Sequence, residues 1–194
     1  MWSKQEVQIL RANYSYGATK NLSRQLNRTK PSIYHKAERL GLSAGSKVRS
    51  LSCCERAHIA ALIDGEGSIF IAKGKGKTSW GYYFVPTITI ANNCKELLEK
   101  AREIIGAGCS PCKLKYWTNM GNRKVGWYFT IHTNAIKDLI PQIIDWLVAK
   151  RKHAELILEF VNLSSKRRGK HIPPSKREEE IYWELKKLNR KGKE

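Results

Sequence analysis

Acid is scarce in this chain: 17 Asp and Glu stand against 36 Lys and Arg in 194 residues, for a net charge of +19. A surplus of that size lies largely at the surface, where it attracts a polyanion and speeds encounter with it. Nucleic acid is the default partner, because each neutralised phosphate releases counterions. Long apolar runs are missing as well. None approaches the roughly 20 residues that span a bilayer, and Met1 to Glu6 lacks the apolar stretch of a secretory signal. The expected location is therefore with the genome, inside a cell or organelle. Five cysteines are an odd number, which argues against a secreted disulfide framework. Cys109 and Cys112 have the spacing of a metal knuckle, yet no second pair accompanies them, so zinc, a disulfide and inert thiols all stay open. A Walker-type glycine loop is absent, since Lys73 to Lys77 lacks its spacing, and His58, His132 and His153 are scattered. What remains is a chain with 41% hydrophobic residues, enough for a packed core in one ordinary domain plus a small one.

Residues 1–45 read as three short helices. Ser3 followed by Glu6 is a capping box, in which two side chains satisfy free N–H groups at a helix start. Val7, Leu10 and Tyr14 then recur at helical spacing, and Leu22 and Leu26 share a face of the second helix. The third begins near Thr29-Lys30-Pro31, buries Ile33, Ala37 and Leu40, and stops at Gly41. Its opposite face presents Ser32, His35, Lys36 and Arg39, short polar and basic groups that can reach base edges and phosphates. From Trp2 through Arg28-Thr29 to Leu40-Gly41-Leu42 the segment resembles Myb/SANT-like and related helix-turn-helix domains, which implies a DNA-binding module.

Residues 46–52 read as a linker to a second domain, 53–194. There the pattern predicts a helix from about Ser52 to Asp64, a turn at Gly65-Glu66-Gly67, a strand over Ser68 to Ala72 and a mobile basic loop, Lys73 to Lys77. A strand over Tyr83 to Ala91 follows, with Ile88 and Ile90 on one face and Thr87 and Thr89 on the other. Next come a helix from Lys95 to Ile105, strands at Lys113 to Tyr116 and Trp127 to Thr133, a long helix from Ile143 to Asn162, and a last one from Ser175 to Leu188. The order implies an α+β fold with helices covering one face of an antiparallel sheet. Thr87, Thr89, Lys113, Lys115, Tyr128 and Thr130 are expected to project from the uncovered face, with Ser68 and the loop residues Lys73, Lys75 and Lys77, as contacts to DNA in the major groove.

Ile59-Ala60-Ala61-Leu62-Ile63-Asp64-Gly65-Glu66-Gly67 has small residues that let two helices approach closely, then two acids at a helix end between glycines that permit a sharp exit. This run resembles the LAGLIDADG signature, and Gly67 to Phe70, Thr87 to Asn92, Leu97 to Gly106 and Lys150 to Ala154 look like the same family. The resemblance covers about Cys54 to Asn162 and implies an αββαββα fold with a saddle-shaped sheet, of the kind encoded in introns and mobile elements. It implies a site-specific homing endonuclease making double-strand cuts in a long, pseudo-palindromic DNA target. One motif copy implies a homodimer through the motif helix, with Ala60, Ala61 and Ile63 at the interface. Further implications are magnesium, replaceable by manganese, held by Glu66 and the Gly65 carbonyl, with Asn92 orienting water and Lys150 stabilising phosphate charge. Many relatives have aspartate where this chain has Glu66, and Asp64 is expected to finish the helix. The alternative function is a non-cleaving intron maturase or transcription regulator on the same fold.

Overall fold

The computed structural model describes residues 2–14, 19–40, 42, 48–114, 125–166 and 172–190, and the chain divides into two compact units, 1–46 and 47–194. In the first unit, Ser3 and Glu6 form their capping box at the start of α1 (Lys4–Asn13). α2 (Thr19–Gln25) ends where Asn27 turns left-handed at φ 47°, with the Arg28 and Asn27 N–H groups reaching Ser23 O at 3.0 Å and Arg24 O at 3.3 Å. These paired bonds are a Schellman stop, which satisfies carbonyls that the helix leaves free. α3 (Lys30–Arg39) starts on the side-chain cap of Thr29. Leu10, Leu22, Leu26 and Ile33 close one small core, with Trp2 and Tyr14 at its edge. Gly41, the expected stop of α3, lies outside the described residues.

The second unit runs α4 (Cys53–Glu66), β1 (Gly67–Lys75), β2 (Tyr82–Asn92), α5 (Lys95–Ile105), β3 (Cys112–Lys113), β4 (Trp127–His132), α6 (Thr133–Ile143), a 3-10 turn (Ile144–Trp146), α7 (Arg151–Lys166) and α8 (Lys176–Leu188). The antiparallel sheet has strand order β1-β2-β4-β3. Ile69, Ile88 and Ile131 stand abreast in register and bury against Ile59 and Ile63 of α4, Ile140 of α6 and Ile157 of α7. One face of the sheet therefore carries the helices of this unit.

Four expectations change. α4 continues through Gly65 and Glu66 instead of turning there, and β1 begins at once with Gly67. β1 runs on through Lys73 and Lys75, so only Lys77 of that basic run lies in the loop. The stretch before α4 is not a free linker: Val48 and Leu51 are in the core, Leu51 N–H donates to Gln142 Oε1 at 2.9 Å, and Gln142 Nε2 donates to Arg49 O at 3.2 Å. The long helix expected from Ile143 to Asn162 begins only at Arg151, after a 3-10 turn and a break at 147–150, and an unexpected helix, α6, precedes it. The break has a tertiary cause, because the Asp64 carboxylate accepts the backbone N–H groups of Val148, Ala149 and Lys150.

Candidate active site and nucleic-acid face

Both ends of α4 are held, by different means. At its start Ser52 and Glu55 form a capping box, and Arg49 clasps Glu55 with Nη1 at 3.2 Å from one carboxylate oxygen and Nη2 on the other. The guanidinium, then the Ser52 N–H, hold the Glu55 carboxyl down at about 2. Arg56 Nε donates to Leu51 O at 2.9 Å, tying the first turn to the strap before it. At the far end Asp64 Oδ2 accepts Val148 N–H at 2.7 Å and Ala149 N–H at 3.3 Å, while Oδ1 accepts Lys150 N–H at 2.9 Å. Lys150 Nζ donates back to the Asp64 carbonyl, one of the carbonyls that a helix end leaves without an internal partner. Asp64 thus joins the end of the motif helix to the segment that leads into α7. It is a structural clamp.

Glu66 differs from Asp64 in every respect that matters to chemistry. It is exposed, and among the described residues no hydrogen bond or ion pair engages its carboxylate. It stands at the negative end of the α4 dipole, with Gly65 beside it in sequence, whose carbonyl is among the last four that a helix cannot pair internally, so the last turn suits a cation. A Cβ at Gly65 would meet nothing within 4 Å, whereas one at Gly67 would sit 2.6 Å from Ile63 O and 2.8 Å from Ile63 Cα. Gly67 is needed for the close approach of β1 to α4; its φ of −84° is ordinary. Among the described residues no group of three or more His, Cys, Asp or Glu could enclose a metal ion. Glu66 could hold a hard cation only with most of the coordination shell taken from water and phosphate oxygens, as magnesium accepts.

The register fixes what lies near this corner. Gly67 pairs with Ile90, so Asn92, the last residue of β2, lies at the α4 end of the sheet. Its carboxamide oxygen accepts Cys94 N–H at 2.9 Å in the turn into α5, which leaves the NH2 group and the oxygen's second lone pair for a water. His153 lies one turn into α7, its Nδ1 buried without a hydrogen-bond partner. Burial and then the charge of Lys150 lower its pKa. Neither feature was legible in sequence.

Strand parity redistributes the expected DNA contacts. Ser68, Thr89, Tyr128 and Thr130 share the face away from the helices. Thr130 is half-buried with its Oγ1 3.1 Å from Cys109 Sγ, and all five cysteines are free thiols. Thr87 is on that face but only 4% exposed, because Phe70 and His132 flank it on the neighbouring strands, and its hydroxyl donates to Val85 O at 3.1 Å. It does not project as expected. Lys73 and Lys75 follow Ile69 and Ile71 in alternation and so face the helix side, where Lys73 Nζ lies 3.9 Å from the Tyr82 ring centroid. Lys113, opposite Trp127, is on that side too, with Nζ 5.4 Å from the Trp127 ring. Those three lysines do not lie on the open face. Lys77 is exposed in the loop after β1, and Lys115 lies outside the described residues.

The expected dimer residues are also sorted. Ala60 and Ile63 are fully buried in their own core, so neither is free to meet a partner. Ala61 is exposed, in a stripe with Cys54, His58 and Gly65 along α4. Beyond the Asp64 clamp, Val148 is 88% and Trp146 43% exposed, an apolar pair that the sequence reading did not single out.

In the N-terminal unit Ser32, His35, Lys36 and Arg39 do converge, lining a cleft of about 640 Å³ with Trp2. Arg28 and Lys36 lie 5.2 Å and 6.0 Å from the Trp2 ring, so the cleft is cationic with an aromatic wall.

No helix among the described residues is long and apolar enough to cross a membrane. No protein-family model and no curated protein matches this sequence. Solved structures do match. The archaeal intron-encoded homing endonuclease I-Vdi141I, complexed with DNA, superposes with a TM-score of 0.59 at 21% identity, over 72% of this chain and 87% of that one. The group I intron-encoded homing endonuclease I-CeuI, complexed with DNA, gives 0.50 at 14% identity, over 86% of this chain and 77% of its own. The LAGLIDADG homing endonuclease I-SmaMI, bound to cleaved DNA, gives 0.50 at 19% identity, over 75% of this chain and 47% of that one. With α4 delivering its acids to the edge of a four-stranded sheet and the helices gathered on one side, this chain has the fold of the LAGLIDADG homing endonucleases.

Proposed function

We propose that the chain is a site-specific DNA endonuclease that works as a homodimer with a divalent cation. The observation that carries this reading is the contrast at the end of α4: Asp64 is consumed by structural bonds, and Glu66 has an exposed carboxylate with no partner. In a surface with a net charge of +19, an idle carboxylate suits metal chemistry on a polyanion better than it suits charge balance. The bound states of the structural neighbours, which are DNA complexes, support the same substrate.

Glu66 and the Gly65 carbonyl would hold the cation. A magnesium ion bound there supplies Lewis acidity and a more acidic water at the scissile phosphate. Lys150, with its amine fixed on the Asp64 carbonyl, carries positive charge to the same corner and stabilises phosphate oxygens. Asp64 keeps Lys150 in place. The exposed stripe of Ala61 and Gly65, with Val148 beyond it, supports a second copy packing against α4, which brings two Glu66 side chains together for a cut in each strand. The N-terminal cleft adds contacts to flanking DNA through Lys36 and Arg39, and linkage to the core raises affinity without new chemistry.

Cleavage-site selection from a random duplex library with magnesium tests the reading. The expected result is linearised product at a pseudo-palindromic site, abolished by chelator. Tight binding without cutting of any selected site would favour the regulator or maturase reading instead.

A further inference from the structure

On α4 the exposed residues Cys54, His58, Ala61 and Gly65 follow one another at intervals of four, three and four. That spacing is the seam of a parallel two-helix contact, in which each residue meets its own counterpart across a two-fold axis. Among the exposed positions of α4 there is no Lys or Arg, although the chain has 36, and the one exposed acid, Glu66, stands at the end. Depletion of charge marks the centre of a protein interface and is the reverse of what a phosphate-binding surface needs. The occupant that fits this face is a second copy of the same helix.

The seam changes character along its length. Ala61 and Gly65 are small enough for close contact, whereas Cys54 and His58 are metal-ligating groups four residues apart. On a helix that interval sets two side chains side by side, with Cβ atoms about 6 Å apart. It is the interval at which zinc takes two ligands from one helix. The turn that carries Cys54 is held in place, because Ser52 and Glu55 cap it and Arg56 Nε donates to Leu51 O. Arg49 engages Glu55, the acid of that turn, so it does not compete for a cation. One chain offers two ligands only, and among the described residues no third His, Cys, Asp or Glu joins them. Two chains offer four, in the two-sulfur, two-nitrogen set that zinc binds tetrahedrally. We propose that two copies of the chain hold one structural zinc ion between their α4 helices, through Cys54 Sγ and a His58 ring nitrogen of each. Each Cys54 thiol releases its proton to solvent as it coordinates. His58 precedes Glu66 by eight residues, about 12 Å along the helix, so this zinc is separate from the cation at Glu66. It fixes the helix pair that sets the two Glu66 carboxylates relative to each other. The inference rests on the homodimer reading above and adds a metal site that exists only in the dimer.

The test strips the full chain with chelator in reducing buffer, returns it to zinc or cobalt, and follows metal content, cobalt absorption and sedimentation. The expected results are one zinc per two chains, a tetrahedral cobalt spectrum with a thiolate band, and a dimer that tightens when zinc is added. Cys54→Ser and His58→Ala are both at exposed positions, so the fold is retained. Each should lower zinc affinity by about 100-fold or more, since disturbing even an outer partner of a ligand costs about 10- to 100-fold. Cys53→Ser, one residue further round the helix, should leave the affinity unchanged. A dimer that takes up no zinc overturns this inference alone. So does zinc that survives Cys54→Ser, or that departs with Cys109→Ser or Cys112→Ser instead. A chain that stays monomeric with zinc present overturns both this inference and the homodimer reading.

Discussion

At its first turn α4 is closed on every side: Ser52, Glu55, Arg49 and Arg56 satisfy one another and the strap of residues 48–51. At its last turn the same helix carries one satisfied acid, Asp64, and one unsatisfied acid, Glu66, two residues on. The first end shows how charge is used when only folding is at stake. Each carboxylate there has an arginine or a backbone donor, and its pKa falls accordingly. The second end departs from that rule at a single residue, Glu66, whose carboxylate has no partner among the described residues.

Several variants sharpen or break the contrast, with the largest effect expected at the free acid. Glu66→Gln should lower the cleavage rate on the selected target by about 10² to 10³-fold, the scale of removing one transition-state electrostatic contact. DNA affinity should stay within about twofold. Equal cutting by the Gln variant would remove Glu66 from the mechanism. Asp64→Ala should instead reduce stability by about 1–2 kcal/mol, because it removes the acceptor for the backbone donors of residues 148–150, and urea midpoints measure this directly. An unchanged midpoint would mean that the clamp is dispensable.

The glycines beside Glu66 divide in the same way. Gly67→Ala forces a Cβ to within 2.6 Å of a backbone oxygen and should cost about 1–3 kcal/mol by displacing β1 from α4. Gly65→Ala has open space and a helical backbone, so thermal unfolding of the monomer should be unchanged or stabilised by up to about 1 kcal/mol. Sedimentation should show a weaker dimer for Gly65→Ala, since the added methyl stands where a partner helix would pack. An unaltered dimer would place the interface elsewhere.

The smallest effect belongs to the closed end. The Glu55 carboxyl lies at about 2 in the folded chain against an ordinary value of 4.5. Its contribution is therefore complete above pH about 4.5 and is lost as the pH falls toward 2. Melting temperatures followed across that window should fall less steeply for Glu55→Gln than for the wild type. Glu6, held down to about 2 by Arg28, gives the N-terminal unit the same sign of dependence.

Much of the architecture can be read along the chain where local signals agree. α5 occupies Lys95–Ile105 as expected, with Leu98, Ala101 and Ile105 as its buried stripe and Gly106 left-handed just after its end. The capping boxes at Ser3, Ser52 and Ser175 mark three helix starts in the same way. α6 was missed although Ala135, Ile136, Leu139, Ile140 and Ile143 recur at helical spacing, because Pro141 reads as a breaker. The lysines of β1 were misplaced because Lys-Gly-Lys-Gly-Lys has the composition of a loop. Extending the alternation of Ile69 and Ile71 by two residues would have put Lys73 on the helix side.

Composition and periodicity were enough to set the sign of the surface charge, the acid pair at a helix end, and a sheet with one apolar face. These follow from composition and from periods of two and 3.6 residues, which need no partner to be read. Tertiary structure alone decided which acid is free and which face each lysine takes. It also decided where the helix after Ile143 breaks. Each of those depends on a bond or a packing neighbour far away in sequence: Asp64 meets residues 148–150 only once α4 and α7 have docked on the same sheet.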